Sequence, residues 1–298
     1  MTLIWVPVQT VMACSAVSCP MMKVDPMLKL PLLGSLTVLA VLATPSLAQN
    51  AGSQSLLNNL GPGQTRTVDI SLRARIGPLE LARGSFKVSL DKDSYSAEAT
   101  YRTSGIAASF NNDAGVANVR GAIENGQLKP RSFVNQETNG KKRRITMAFQ
   151  GRSVDVTAAP MWGSMGSPPA TLAQKLESVD PVTGLMELSL VTGRDAGRAC
   201  GGAVKIFDGK RRYDIRTQYV GIENVSTPAY KGPATYCRGT YTEVAGFNQK
   251  KPGETREPIR LQIWLADVGN MGVSVPVRMT GSKGIYTAVL YADRAVVR

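Results

Sequence analysis

The sequence predicts a mainly β protein: a long antiparallel meander curled into a half- or nearly closed barrel, with two short helices in its concavity. Three observations predict it. Apolar and polar residues alternate along most of the chain, turn dipeptides recur at hairpin spacing, and one central interval changes to helical spacing. About twelve strands account for the alternation.

The first part of the chain reads as an address rather than as fold. Residues 32–43 form an apolar run behind Lys29 and ahead of Ser46-Leu47-Ala48. A positive charge, an apolar run of this length and small residues at the end are the parts of a cleaved export signal. The run is shorter than the roughly 20 apolar residues that span a bilayer. Residues 1–48 are therefore expected to be removed and the mature protein to work in the periplasm. Residues 1–21 read as a start-site artefact, with Met22 or Met27 the expected start. The other reading makes Val11-Met12-Ala13-Cys14 a lipidation box, but no Lys or Arg precedes it. Residues 49–64, rich in Asn, Gly, Ser and Gln, read as a flexible leader to one domain over residues 65–298.

From residue 67 the period is two. In residues 67–76 the apolar side chains take the even positions and the polar ones the odd, which makes a strand with one buried face. Residues 86–90 and 94–102 repeat the pattern. Asn125-Gly126 then separates residues 116–123 from 128–136, and Asn139-Gly140 separates the latter from 143–149. Both dipeptides tolerate the positive φ that a two-residue hairpin needs. Asp208-Gly209 does the same between residues 203–207 and 213–220. Further strands are expected at residues 153–157, 235–244, 259–265, 273–279 and 285–290.

The helical interval lies between the two sets of strands. Residues 160–169 form a Met-, Gly- and Pro-rich loop containing Trp162. Leu172, Leu176 and Val179 then fall at helical spacing. Asp180-Pro181 supplies an N-cap and a proline at the first helical position, where its missing N–H costs nothing. Leu185, Leu188 and Val191 share one side of this second helix, which Gly193 ends. Both apolar faces need burial, and the concave side of a curled sheet offers it.

Composition narrows the chemistry. The chain has no histidine, which removes Ser-His-Asp and Cys-His nucleophiles and a histidine base. No Gly-x-Ser-x-Gly elbow occurs, and Gly61-Pro62-Gly63-Gln64-Thr65-Arg66 fails the phosphate-cradling pattern at its last glycine. A carboxylate-pair hydrolase is left as a minor alternative. No cofactor and no metal site is expected. After removal of residues 1–48 only Cys200 and Cys237 remain, and two cysteines in an oxidising compartment predict one disulfide. A loop of that size contributes roughly 4 kcal/mol on the chain-entropy model.

The formal charge of +13 falls by one, to +12, when Lys23, Lys29 and Asp25 are removed with the signal. Export points this charge away from nucleic acid and towards envelope polyanions or lipids. Lys141, Lys142, Arg143 and Arg144 follow one turn signal, and Lys210, Arg211 and Arg212 follow another. They read either as an anion-binding patch at one end of the sheet or as charges that guard hairpin tips against aggregation. Met161, Trp162 and Met165, with Leu172 and Leu176, read either as the lining of an apolar ligand cavity or as a plug. Trp264, on an alternating strand, reads as core.

The order of these features resembles an exported bacterial family catalogued as domain of unknown function 3108. The resemblance runs from about Ile70 to Leu290. It rests on Ile76-Gly77-Pro78-Leu79, Gly84-Ser85-Phe86, Tyr101-Arg102-Thr103-Ser104-Gly105 and Asp180-Pro181-Val182-Thr183-Gly184-Leu185. Cys200, Phe207-Asp208-Gly209-Lys210-Arg211-Arg212-Tyr213, Cys237, Trp264-Leu265-Ala266-Asp267 and Pro276-Val277-Arg278 complete it. The family has no established catalytic residues to carry over. The function expected is non-enzymatic and envelope-associated, with an apolar or lipid-like ligand; docking onto another envelope component is the alternative. Its expected partners are a lipid or envelope polymer, or an envelope protein, and not nucleic acid. The oligomeric state is not legible.

Overall fold

The computed structural model describes residues 63–190, 202–249, 257–269 and 273–298, together with Leu60 and Cys200. The expected export signal and most of the leader lie outside the described residues, as do Val191 and Gly193; the second helix ends before them, at Ser189. Before the helical interval come Arg66–Ile76 (β1), Leu79–Leu90 (β2), Ser94–Thr103 (β3), Ala114–Glu124 (β4), Gln127–Glu137 (β5), Arg144–Phe149 (β6) and Val154–Ala159 (β7). After it come Gly202–Phe207 (β8), Arg212–Ser226 (β9), Lys231–Ala245 (β10), Ile259–Asp267 (β11), Ser274–Lys283 (β12) and Tyr286–Val297 (β13). All 13 belong to one antiparallel sheet, in the order β7-β6-β5-β4-β3-β2-β1-β13-β12-β11-β10-β9-β8. The sheet is not closed, since β7 and β8 remain its two edges.

Strand alternation gives the sheet one apolar face. Val68, Val88, Ala97, Val119, Phe133 and Met147 lie directly opposite one another from β1 to β6. All are buried. Because the strands alternate in direction, the connections sort by end. The β1–β2, β3–β4, β5–β6, β8–β9 and β12–β13 turns and the loop after β7 share what we term the near end. The β2–β3, β4–β5, β6–β7 and β9–β10 turns lie at the far end.

The two Asn-Gly turns differ, and at Asp208-Gly209 four residues separate the strands, with positive φ at Gly209 but not at Asp208. Asn125 and Gly126 both take positive φ, 51° and 74°, as a two-residue hairpin requires. Asn139-Gly140 does not form such a hairpin. β5 ends at Glu137 and β6 begins at Arg144. The positive φ values fall on Gly140 and Lys142 instead, so this turn is wider than its dipeptide predicts.

Three short helices occur among the described residues: Ala107–Phe110 (α1), Leu172–Leu176 (α2) and Pro181–Ser189 (α3). The expectation that both predicted helices bury an apolar face holds for α3 and not for α2. Thr171 and Gln174 form a reciprocal capping box on α2. The helix stops after Leu176, however, and Leu172 and Leu176 are 55% and 41% exposed. It stops because Val179 is drawn into a strand-like contact with β8: Val179 N donates to Lys205 O, and Phe207 N donates to Val179 O, both at 2.9 Å. Val179 thereby caps the Lys205–Phe207 part of the free edge of β8.

Every residue of α3 except Glu187 is buried. Asp180 starts the helix. Its Oδ1 accepts from Val182 N at 2.9 Å and Thr183 N at 3.0 Å, and its Oδ2 accepts from Thr183 Oγ1 at 2.6 Å. Tyr95 of β3 joins the Thr183 hydroxyl at 2.8 Å, which ties the cap to the sheet. Gly184 lets the helix settle on β8, since a Cβ there would lie 2.6 Å from Ile206 Cδ1.

Cys200 is joined to Cys237, with Cα atoms 5.6 Å apart and a separation of 37 positions in sequence. The pair packs beside Ile263, Leu265 and Met279. Replacing both cysteines by serine is expected to cost up to about 4 kcal/mol in urea unfolding. Intact-mass measurement of exported protein that finds two free thiols would show that the bond does not form in the cell. Asp180→Ala is expected to cost about 2 kcal/mol, because it removes a cap and leaves the buried Val182 and Thr183 N–H groups without their acceptor. An unfolding midpoint within error of the parent would contradict the anchoring role of this residue.

Candidate functional site

An apolar cavity of about 120 Å³ lies between α3 and the inner face of the sheet. Leu72, Ala99, Met279 and Leu290 line it from the strands, and Val182 and Leu185 from the helix. Its strand residues include Ala74, Ala82, Tyr101, Gly281 and Ala288, which places the space towards the near end. The cavity exists because α3 is held at its cap while small residues, Ala82, Gly84 and Ala99, face it from β2 and β3. Its size resembles the roughly 150 Å³ cavity that takes up benzene in another protein. That is room for a segment of one acyl chain.

Of the sequence-derived lining candidates, none borders this cavity. Trp162 is half-buried at the near end of the seam between the sheet edges. Its ring lies over the β8–β9 turn, where a Cβ on Gly209 would be 3.5 Å from it. The Arg143 guanidinium covers the ring at 5.4 Å. The loop after β7 is pinned across the seam by Ser167 N donating to Phe247 O and Gly246 N donating to Pro168 O, both at 2.8 Å. Trp162 thus plugs the seam. Met161 and Met165 stay largely exposed, at 83% and 41%. Leu176 borders a different and more polar opening of about 1030 Å³ at the far end of the seam.

The two basic clusters meet at the near end but do not act as one uniform patch. Lys210 has its ammonium pKa lowered by burial first, and then by the neighbouring charges of Arg211 and Arg143. Lys141, Lys142 and Arg144 are exposed. Arg143 donates from Nε to Pro160 O at 2.8 Å, and Arg211 lies 5.5 Å over the Phe247 ring. Arg212 leaves the patch altogether. It is 1% exposed and pairs with Glu177 at 3.1 Å and with Asp214. A guanidinium that deep is kept because two carboxylates partner it.

Sequence reasoning missed Glu187, which lies at the polar opening with Lys129 and Lys205. Burial, then the charge of Asp180, push its carboxyl up to about 7, with Lys129 opposing. Asp180 itself is pushed up to about 6 by burial, against its hydrogen bonds from Thr183 and Val182. The signal was present in the sequence, because Glu187 falls between Leu185 and Leu188 on a helix otherwise built of small and apolar residues. Among the described residues no three His, Cys, Asp or Glu side chains gather as a metal site. None of their helices is long and apolar enough to cross a membrane.

The family follows from a match over residues 68–290 to the model described as "Protein of unknown function (DUF3108)". The chain belongs to the DUF3108 family. No curated protein sequence matches this DUF3108 member. Among solved structures it is similar to a beta-barrel-like protein of domain of unknown function DUF1849 from Brucella abortus. That match has a TM-score of 0.42 and 10% identity, covering 78% of this chain and 98% of the other. A candidate lipoprotein from Parabacteroides distasonis matches with TM-score 0.33 and 12% identity, over 79% of this chain and 97% of the other. A candidate exported protein with a YmcC-like fold from Bacteroides fragilis matches with TM-score 0.33 and 12% identity, over 80% and 98%.

The elevated Glu187 pKa carries a sign. A carboxyl whose folded pKa exceeds its ordinary 4.5 contributes stability that is present below about 4.5 and lost as pH rises through about 7. Glu187→Gln is therefore expected to leave the melting temperature nearly unchanged at pH 4 and to raise it by about 2–5 °C at pH 8. Equal effects at both pH values, read by thermal denaturation, would contradict a buried, protonated Glu187.

Proposed function

We propose that this DUF3108 protein is an exported, non-enzymatic binding protein that holds an apolar segment, such as part of an acyl chain, between α3 and the concave face of its sheet. The observation that carries this reading is the apolar cavity itself. Ligand sites are typically concave and mostly apolar, and this one is bounded by a helix anchored through a buried cap. The export-like run at residues 32–48 and the Cys200–Cys237 bond support a periplasmic setting. A carboxylate-pair hydrolase finds less support, since Asp180 is fully buried and engaged in the cap.

The second reading, docking onto an envelope component through a sheet edge, is favoured by β7 and β8 both remaining unpaired with another strand. It is weakened at β8, where Val179 already pairs with the Lys205–Phe207 part of the edge.

Native mass spectrometry of protein purified from the periplasm, followed by lipid extraction, tests the ligand reading. The expected result is a bound species that Ala99→Phe, which fills the cavity from β3, removes without unfolding the protein. Repeated recovery of ligand-free protein that also fails to take up an added fatty acid would overturn it.

A further inference from the structure

The near end of the sheet carries an apolar fringe that the core does not use. Ile285, in the β12–β13 turn, is 91% exposed, and Phe110, between β3 and β4, is 78% exposed. Leu79, leaving the β1–β2 turn, and Ile106, beside α1, are about half exposed, at 49% and 54%. The strands that carry these tips are consecutive neighbours, β12-β13-β1-β2-β3, so the tips form one rim. The rim is fixed. Ser104 N donates to Leu81 O at 2.9 Å, and a Cβ on Gly105 would lie 2.5 Å from Glu80 O, so the β3–β4 link sits tightly on the start of β2. Apolar side chains held outward on neighbouring tips mark an interaction surface rather than scattered exposure.

Cations surround them. Arg83 and Arg102 face each other on β2 and β3, both exposed. Lys283 ends β12 beside Ile285, and Arg75 donates to Pro78 O in the β1–β2 turn at 3.0 Å. Glu80, at the start of β2, is taken up by Arg83 at 2.6 Å. Lys141 and Lys142 extend the positive charge along the same end. An apolar fringe ringed by Arg and Lys is complementary to an anionic bilayer, whose phosphates meet the cations while apolar side chains enter the headgroup boundary.

We propose that this end docks on an anionic lipid bilayer, with Ile285, Phe110, Ile106 and Leu79 entering the interface and Arg75, Arg102 and Lys283 meeting lipid phosphates. The surface goes beyond the ligand reading and stands without it. It also faces the half of the sheet that encloses the apolar cavity, through Ala82, Tyr101, Gly281 and Ala288.

Co-sedimentation of the protein purified after export tests this with vesicles of equal parts phosphatidylethanolamine and phosphatidylglycerol, and with vesicles of phosphatidylcholine alone. Binding is expected to the anionic vesicles and to weaken severalfold at about 0.5 M salt. The double variant Ile285→Asp, Phe110→Asp is expected to lose about tenfold or more in partitioning. Its unchanged thermal melt would show that the fold survives. Ile222→Asp, at a 52% exposed site on β9 towards the far end, is expected to bind as the parent does. Unchanged binding by the double variant, or equal binding to neutral and anionic vesicles, would overturn the proposal. So would a dimer in solution that Ile285→Asp dissociates, because a second copy would then occupy the rim. Ala99→Phe separates the two readings, since it is expected to lose an acyl ligand while keeping vesicle binding.

Discussion

Asp180 accepts three hydrogen bonds within the first turn of α3, and Tyr95 links that turn to β3. Where α3 lies, and so what the curled sheet encloses, depends on this buried contact. A helix of nine residues is too short to be stable by itself, so its position comes from its cap and its packing. With the cap in place, Gly184 can settle against Ile206 and the apolar residues of the helix face the concave side. The cavity is the space left between this fixed helix and the alanines and glycines of β2 and β3. The same anchoring sets the electrostatic condition of the interior, because it draws one carboxylate wholly inside and a second, Glu187, most of the way.

The open seam is the other organising feature. A sheet of 13 strands that does not close leaves two edges, and exposed edges invite pairing with other chains. Here the helical interval does the covering. Val179 caps part of the edge of β8, Arg212 and Lys205 hold Glu177 beside it, and Trp162 fills the near end of the gap under Arg143. The segment that breaks the β pattern in the sequence is therefore the segment that makes an unclosed sheet tolerable.

Much of the fold was legible because its signals are local. Period-two alternation marked the strands from residue 67 onward, Asn125-Gly126 gave its hairpin, and Asp180-Pro181 gave the start of α3. Two of the errors share a cause. Asn139-Gly140 opened into a wider turn, Leu172 and Leu176 faced solvent instead of the concavity, and Arg212 went inside with Glu177 and Asp214. For the helix and for Arg212 a distant partner decided the outcome, and sequence spacing does not carry that information. The lining of the cavity was illegible for the same reason, since it draws on β1, β2, β3, β12 and β13 at once. The apolar tips were visible as residues, yet only the strand order showed that Leu79, Phe110 and Ile285 are neighbours.

The strand order also fixes when the molecule can be completed. β1 and β13 pair in the middle of the sheet, from Val68 opposite Val297 to Arg75 opposite Val289, and Thr67 and Arg298 exchange hydrogen bonds at 2.8 and 2.9 Å. Topologically the chain is a ring cut at its centre, with both cut ends lying side by side. A chain delivered with its N-terminus first thus lays down β1 at the start and must keep that strand unpaired on one side until the last residues arrive. Pairings of such long sequence separation form slowly. A chain truncated before β13 would be left as two meanders, each presenting an open edge where the finished protein has its midline.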